Sequence, residues 1–97
     1  MITYQRCKEI FSNEEIFEKF KYDKTKYGYN RVNMKHLAND GYHYDFGFRK
    51  MPNGFNDVAE IFFGKWTPMH AKVVFHTICD EDSLLKLIDI CHNYGTI

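Results

Sequence analysis

The stretch that decides the fold is residues 42–66, YHYDFGFRKMPNGFNDVAEIFFGKW. Aromatic side chains recur there at every second position, at Tyr42, Tyr44, Phe46 and Phe48. A Pro-Asn-Gly turn follows at residues 52–54, and a second apolar-rich run comes after it. Alternation of bulky residues around an Asn-Gly turn is typical of a β-hairpin. The sequence therefore predicts strands over residues 42–50 and 57–66, with one aromatic wall facing the core.

The N-terminal part of the chain predicts two helices and a further strand. The first helix has an apolar face at the helical spacing, made of Tyr4, Cys7, Ile10 and Phe11. Ser12 then begins a Ser-Asn-Glu-Glu capping box, which predicts a second helix that ends near Asp23. For residues 30–37 we predict a strand, with a short helix over residues 33–39 as the competing interpretation. An Asn-Asp-Gly turn at residues 39–41 leads into the aromatic strand.

A last strand and a last helix follow the hairpin. Residues 70–79 alternate as a strand, and Gly64 before them marks a predicted bulge. The acidic residues 80–82 are favourable at the positive end of a helix dipole, so we expect a helix to begin there. Its predicted buried stripe is Leu84, Leu87, Ile88 and Cys91, with Gly95 as the C-terminal cap.

These elements predict an α+β two-layer sandwich in a single domain of residues 1–97. The expected order is α-α-β-β-β-β-α. The sheet is expected to be an antiparallel meander of three or four strands with the helices on one face.

The amino-acid composition indicates the cellular compartment of the protein and the classes of partner that its charge does not attract. Thirteen Lys and Arg residues balance thirteen Asp and Glu residues, so no overall field attracts nucleic acid or a membrane. Three cysteines, no signal peptide and no long apolar run predict a reduced cytoplasmic setting without a membrane partner. Lys, Phe, Tyr, Ile and Asn have A/T-rich codons, and their abundance fits a phage or mobile-element origin.

The residues that most resemble a catalytic group lie together on one face of a predicted strand. His43, Asp45 and Arg49 share the side opposite the aromatic wall, and His70 is a candidate second base. Such a set could cleave RNA by general acid–base chemistry without a metal. The polar face of an ordinary antiparallel sheet gives the same pattern, and we favour that interpretation over an enzyme.

Metal and cofactor sites are not expected. The candidate soft ligands are His70, His76, Cys79, Cys91 and His92. Their spacing matches no zinc pattern. Free cysteines on buried faces are ordinary small hydrophobic residues.

A basic stretch over residues 19–35 interleaves cations with tyrosines. Its candidate binding residues are Tyr22, Lys24, Lys26, Tyr27, Tyr29, Arg31 and Lys35. Cations with stacking rings suit single-stranded nucleic acid. Three acidic residues directly upstream and the zero net charge favour a solvated helix end and loop instead.

The favoured hypothesis is a small, non-catalytic, cytosolic protein-binding or regulatory protein. It would dock on a protein partner or on a second copy of itself. Aromatic residues are enriched at such interfaces, and the candidate anchors are Tyr22, Tyr27, Tyr29, Tyr94 and Trp66. The alternative is a nucleic-acid-binding protein or small metal-independent ribonuclease that uses the basic stretch and the His/Arg strand face.

Overall fold

The computed structural model of the protein describes residues 1–18, 21–23, 28–36, 38, 40–52, 57–77 and 80–93. Within these ranges the chain forms two helices and five strands. In chain order they are α1 (Tyr4–Phe11), β1 (Lys21–Asp23), β2 (Tyr29–Asn33), β3 (His43–Lys50), β4 (Ala59–Thr67), β5 (His70–Thr77) and α2 (Glu81–Asn93).

The five strands form one sheet in the order β1-β2-β3-β4-β5, and each pairs antiparallel with the next. The predicted antiparallel meander is therefore confirmed, with more strands than expected. The central β3–β4 pair sets Gly47 opposite Phe62. The register of β4 against β5 shifts between Phe63 and Gly64, at the predicted bulge.

The core forms on one face of this sheet, where the aromatic alternation predicts it. Tyr44, Phe46 and Phe48 on β3 are buried, because successive side chains of a strand point to opposite faces. The ring of Phe11 on α1 packs 5.4 Å from that of Phe46 and 5.1 Å from that of Phe48, measured between ring centroids. Aromatic pairs at this separation add about 0.5–1.5 kcal/mol each beyond their burial.

Both helices begin at side-chain caps and bury apolar stripes. Thr3 Oγ1 accepts the Arg6 N–H at 3.1 Å, and Asp80 Oδ1 accepts the Ser83 N–H at 2.8 Å. These bonds satisfy N–H groups that a helix leaves without partners. The buried α2 residues are Leu84, Ile88 and Cys91, with Leu87 half-buried beside them, as predicted.

The buried residues of both helices join one cluster with those of β2, β3 and β4. The α+β class is therefore confirmed, whereas the exact two-layer sandwich with the helices on one face stays a prediction. Of the described helices, neither has the length and apolar character needed to cross a membrane.

The predicted second helix is wrong. Ser12 is the C-cap of α1, and its N–H and hydroxyl both donate to the Lys8 carbonyl. The Asn13 carbonyl accepts the Phe17 N–H at 2.9 Å, which closes a turn rather than a continuing helix. Phe17 then bridges to Met34 of the sheet and is buried. The burial of this aromatic ring outweighs the local capping preference, and the observed order is α-β-β-β-β-β-α.

The strand interpretation of residues 30–37 is correct for its first part. Asn33 ends β2, and the Met34 N–H donates to the Tyr44 carbonyl at 2.9 Å, so the competing helix is wrong there. The turn that follows contains Gly41, whose φ of 83° suits glycine. Predictions for Leu37, Asn39, Ile78 and Cys79, for residues 53–54 and for the Gly95 cap fall outside the described residues.

Candidate functional site

The face of β2, β3 and β4 opposite the core carries the candidate site, and we call it the outer face. Its residues are Tyr29, Arg31, His43, Asp45, Gly47, Arg49, Glu60, Phe62, Gly64 and Trp66. The antiparallel register sets them side by side in rows, because paired residues share a face. Rigid strands thus hold the aromatic and charged side chains at fixed separations.

The centre of the outer face is an aromatic layer built over a glycine. A Cβ added at Gly47 would lie 2.5 Å from Cδ2 and 2.7 Å from Cε2 of Tyr29. The Tyr29 ring therefore occupies the space that a side chain at residue 47 would need. This ring also stacks on Phe62, with centroids 5.2 Å apart and planes at 24°. The absence of a side chain at Gly47 is thus what allows the Tyr29 ring to lie this close to β3.

Two ion pairs flank the aromatic layer. Arg31 Nε lies 2.7 Å from Asp45 Oδ2, and both Nε and Nη2 of Arg49 lie 3.0 Å from Glu60 Oε2. The Arg49 guanidinium also lies 5.3 Å from the Phe62 ring centroid, a cation–π distance. The carboxylates are the buried partners, with 15% of the Asp45 and 12% of the Glu60 side chain exposed.

The Asp45 carboxyl is held between two opposing influences. Burial raises its pKa, because desolvation disfavours the charged form, while the adjacent Arg31 guanidinium lowers the pKa through its charge and hydrogen bond. The net result is a raised pKa. Arg31 therefore offsets part of the cost of keeping an ionised carboxylate in a poorly solvated position.

A second pair of stacked rings lies at the end of the outer face where β3 begins. The rings of His43 and Trp66 lie 4.3 Å apart with planes at 19°. Among the described residues, the buried Trp66 Nε1 and the buried Asn33 Oδ1 have no hydrogen-bond partner. Between this stack and Tyr29 lies a pocket of about 240 Å³, which also touches Ala71 of β5.

The candidate catalytic residues reach the predicted face but do not form one group. His43 stacks on Trp66, Asp45 pairs with Arg31, and Arg49 pairs with Glu60. His70 is exposed at the start of β5 opposite Thr67, one position away from the row that contains Trp66. Within the described residues no hydrogen bond joins His43 to Asp45, so the catalytic hypothesis stays a prediction without geometric support.

The binding candidates separate into four groups. Tyr29, Arg31 and Trp66 lie on the outer face beside the catalytic candidates, a juxtaposition that the sequence does not reveal. Lys35 is exposed just beyond β2. Tyr22 belongs to β1. The remaining candidates lie outside the described residues, and they are Lys24, Lys26, Tyr27 and Tyr94.

Sequence reasoning missed Gly47, Glu60 and Phe62 as members of the site. Their signal was present, because Glu60, Phe62, Gly64 and Trp66 alternate along β4 as the candidates on β3 do. Locating them required the register that pairs Gly47 with Phe62 and Arg49 with Glu60.

The cysteines and histidines make no metal centre in the part of the chain that the structure describes, where no three potential ligands cluster. Cys7 and Cys91 are buried cysteines in the reduced state. Burial raises the pKa of Cys91 to about 12, so this thiol stays protonated at neutral pH.

No protein-family model matches the chain, and the comparisons with curated proteins and with solved structures found no match.

Proposed function

We propose that this protein is a small, non-catalytic binding protein that docks a protein partner on its outer face. Trp, Tyr and Arg are the residue types that dominate the binding energy of protein interfaces. The outer face brings together Tyr29, Arg31, Arg49 and Trp66, with Phe62 at its centre. We further propose a cytoplasmic location, since an odd number of cysteines without a CxxC spacing fits a reducing compartment.

The observation that carries the proposal is that these side chains are already held in place. Tyr29 is fixed between Gly47 and Phe62, and Arg31 is fixed by Asp45. Ordering a flexible side chain on binding costs about 0.5–1.5 kcal/mol. Anchors that are ordered before binding avoid most of this cost, so a prearranged aromatic and arginine surface favours docking.

The charge of the outer face favours a protein over a nucleic acid. Its two arginines are balanced by two carboxylates at 2.7 and 3.0 Å. A phosphate backbone would have to approach Asp45 and Glu60, and like charges close together are costly. A protein surface with mixed charges meets no such penalty. The nucleic-acid alternative depends on the residues of the basic stretch that lie outside the described ranges.

The test uses the full chain with a photo-crosslinking amino acid at position 43 of the outer face, where the half-buried His43 is not one of the proposed anchors. A matched control places it at position 85, because Leu85 lies on the exposed side of α2 with 41% of its surface accessible. Host lysate, either treated with nuclease or left untreated, is irradiated with each protein. The proposal expects a defined protein adduct from position 43 that survives nuclease treatment and is absent from position 85.

The partner found in this way is then purified and titrated against variants by calorimetry. We expect Arg31→Ala and Phe62→Ala each to weaken binding about tenfold or more, which corresponds to about 1.4 kcal/mol. Leu85→Ala should bind as the wild type does. Equal affinity of all three variants would contradict the proposal. An adduct between two copies of the chain would identify self-association, and loss of every adduct on nuclease treatment would favour the nucleic-acid alternative.

A further inference from the structure

A second pocket, at the far end of β3 from His43, has a different chemistry. Its volume is about 420 Å³, and it is lined by Tyr4, Gly28, Asn30, Arg49 and Lys50. These residues come from α1, the segment before β2, and strands β2 and β3. The walls are rich in hydrogen-bond donors, and no described carboxylate is among the lining residues.

Tyr4, which lines the pocket, has its hydroxyl oxygen bound by a buried side chain. Asn30 is only 5% exposed, and its Nδ2 donates to the Tyr4 oxygen at 2.7 Å. The phenolic oxygen is thereby used as an acceptor, and its proton remains available to a second group. A buried amide that fixes a hydroxyl in this way makes an ordered donor at the pocket wall.

Positive charge surrounds the same tyrosine ring. The ammonium groups of Lys8 and Lys50 each lie 5.5 Å from its centroid. Lys50 also reaches Asp57 at 3.4 Å, but this pair is exposed, with 65% and 43% of the two side chains accessible. Exposed pairs of this kind contribute little free energy, so Lys50 can exchange partners readily.

Gly28 and Arg49 form two further parts of the pocket wall. Gly28 adopts a φ of 61°, in the left-handed region that favours glycine, and it has no side chain to fill the space. Arg49 lines the opposite wall while pairing with Glu60. The described lining of the pocket therefore combines a hydroxyl group held by Asn30 with the exposed ammonium of Lys50.

We propose that this pocket binds a small oxyanion, either a phosphate or a carboxylate group. The Tyr4 hydroxyl donates to one anion oxygen, and the Lys50 ammonium moves from Asp57 to neutralise the charge. Hydrogen bonds to an ionised group are about twice as strong as neutral ones, which favours an anion over a neutral ligand. The site shares only Arg49 with the outer face, because its other lining residues, Tyr4, Gly28, Asn30 and Lys50, are not members of that face.

The test is a ¹H–¹⁵N correlation titration of the full chain with sodium phosphate, and in parallel with sodium acetate. Sodium chloride holds the ionic strength constant in both series. The proposal expects saturable shifts at the amides of Gly28, Asn30 and Lys50 in at least one series. Saturation with phosphate alone identifies phosphate as the ligand chemistry, and saturation with acetate alone identifies a carboxylate. Linear, unsaturated responses to both anions would overturn the proposal.

Two variants test the residue roles against a matched surface lysine. Lys50→Ala should weaken anion binding about fivefold or more, while Lys86→Ala, on the exposed side of α2, should leave it unchanged. Tyr4→Phe should also weaken binding, with its folded spectrum as the control for structure. If Lys50→Ala and Lys86→Ala bind the anion equally, the assignment of the pocket is wrong.

Discussion

The substitution Gly47→Ala tests the aromatic layer that the outer face is built on. An added Cβ would lie 2.5 Å from a ring carbon of Tyr29, whereas ordinary carbon contacts are about 3.5–4.0 Å. The ring must therefore move by about 1 Å or more, which disturbs its stack on Phe62. Overpacking of this kind costs about 1–3 kcal/mol.

A second effect has the opposite sign. Alanine is more favourable than glycine inside a strand by about 0.5–1 kcal/mol. The two effects predict a net loss of about 1–2 kcal/mol in the free energy of unfolding of Gly47→Ala. For a domain of this length the Tm should fall by about 5–10 °C. Urea denaturation and thermal melts followed by circular dichroism measure both quantities.

A double-mutant cycle with Tyr29→Ala isolates the steric cause. Once the ring is absent, Gly47→Ala meets no clash and should stabilise the protein by about 0.5–1 kcal/mol. The sign of the Gly47→Ala effect is thus expected to reverse between the two backgrounds. If the substitution changes the unfolding free energy equally in both, the close approach of Tyr29 to Gly47 does not control this face and the reasoning fails.

Three further predictions concern the ion pair, the core and the thiols. Removing the cation in Arg31→Ala should raise the pKa of Asp45 further, because burial then acts unopposed, and carboxylate NMR measures this change. An ionised Asp45 then opposes folding, so the free energy of unfolding of the variant should fall by about 1–2 kcal/mol at pH 7. The loss should be much smaller at pH 3, where the carboxyl is protonated in both the folded and the unfolded state. An equal loss at both pH values would contradict this. Phe11→Ala should lower the free energy of unfolding, measured with urea, by about 3–5 kcal/mol, because Phe11 is only 1% exposed and its ring packs on two strand residues. A loss below about 1 kcal/mol would refute its central position in the core. Cys7 and Cys91 should react slowly with iodoacetamide in the folded protein and rapidly once it is unfolded, and peptide mass spectrometry measures this labelling. Rapid labelling of either thiol in the native state would disprove its burial.

Long, strongly periodic segments of the sequence were sufficient to predict their elements. The alternation of Tyr44, Phe46 and Phe48 led directly to the buried face of β3. Helical spacing likewise predicted the stripe of Leu84, Ile88 and Cys91 on α2. In these segments local propensity and burial favour the same structure, so no information about distant residues is needed.

In the segment after Ser12, local propensity and burial favour different structures. Its capping box is a valid local signal, but the Phe17 ring finds Phe11 at 5.2 Å and Phe46 at 6.1 Å only if the chain turns toward the sheet. Capping contributes about 1 kcal/mol, whereas full burial of an aromatic side chain contributes about 1.5–3 kcal/mol. The larger, non-local term decides the conformation of this segment.

The candidate site depended on tertiary structure to an even greater degree. Sequence alternation predicts that His43, Asp45 and Arg49 share a face, and it does so correctly. It does not indicate that Asp45 pairs with Arg31 on a neighbouring strand, or that Tyr29 lies over Gly47. Such contacts depend on strand order and register.

The sequence by itself determined the class of fold, the residues of the aromatic wall and the polar residues that β3 places on the opposite face, because side-chain periodicity is a local property of the backbone. Tertiary structure alone decided which charges neutralise each other, which rings stack and where the pockets lie. Those features arise from residues far apart in the chain, which only the order and register of the strands bring together.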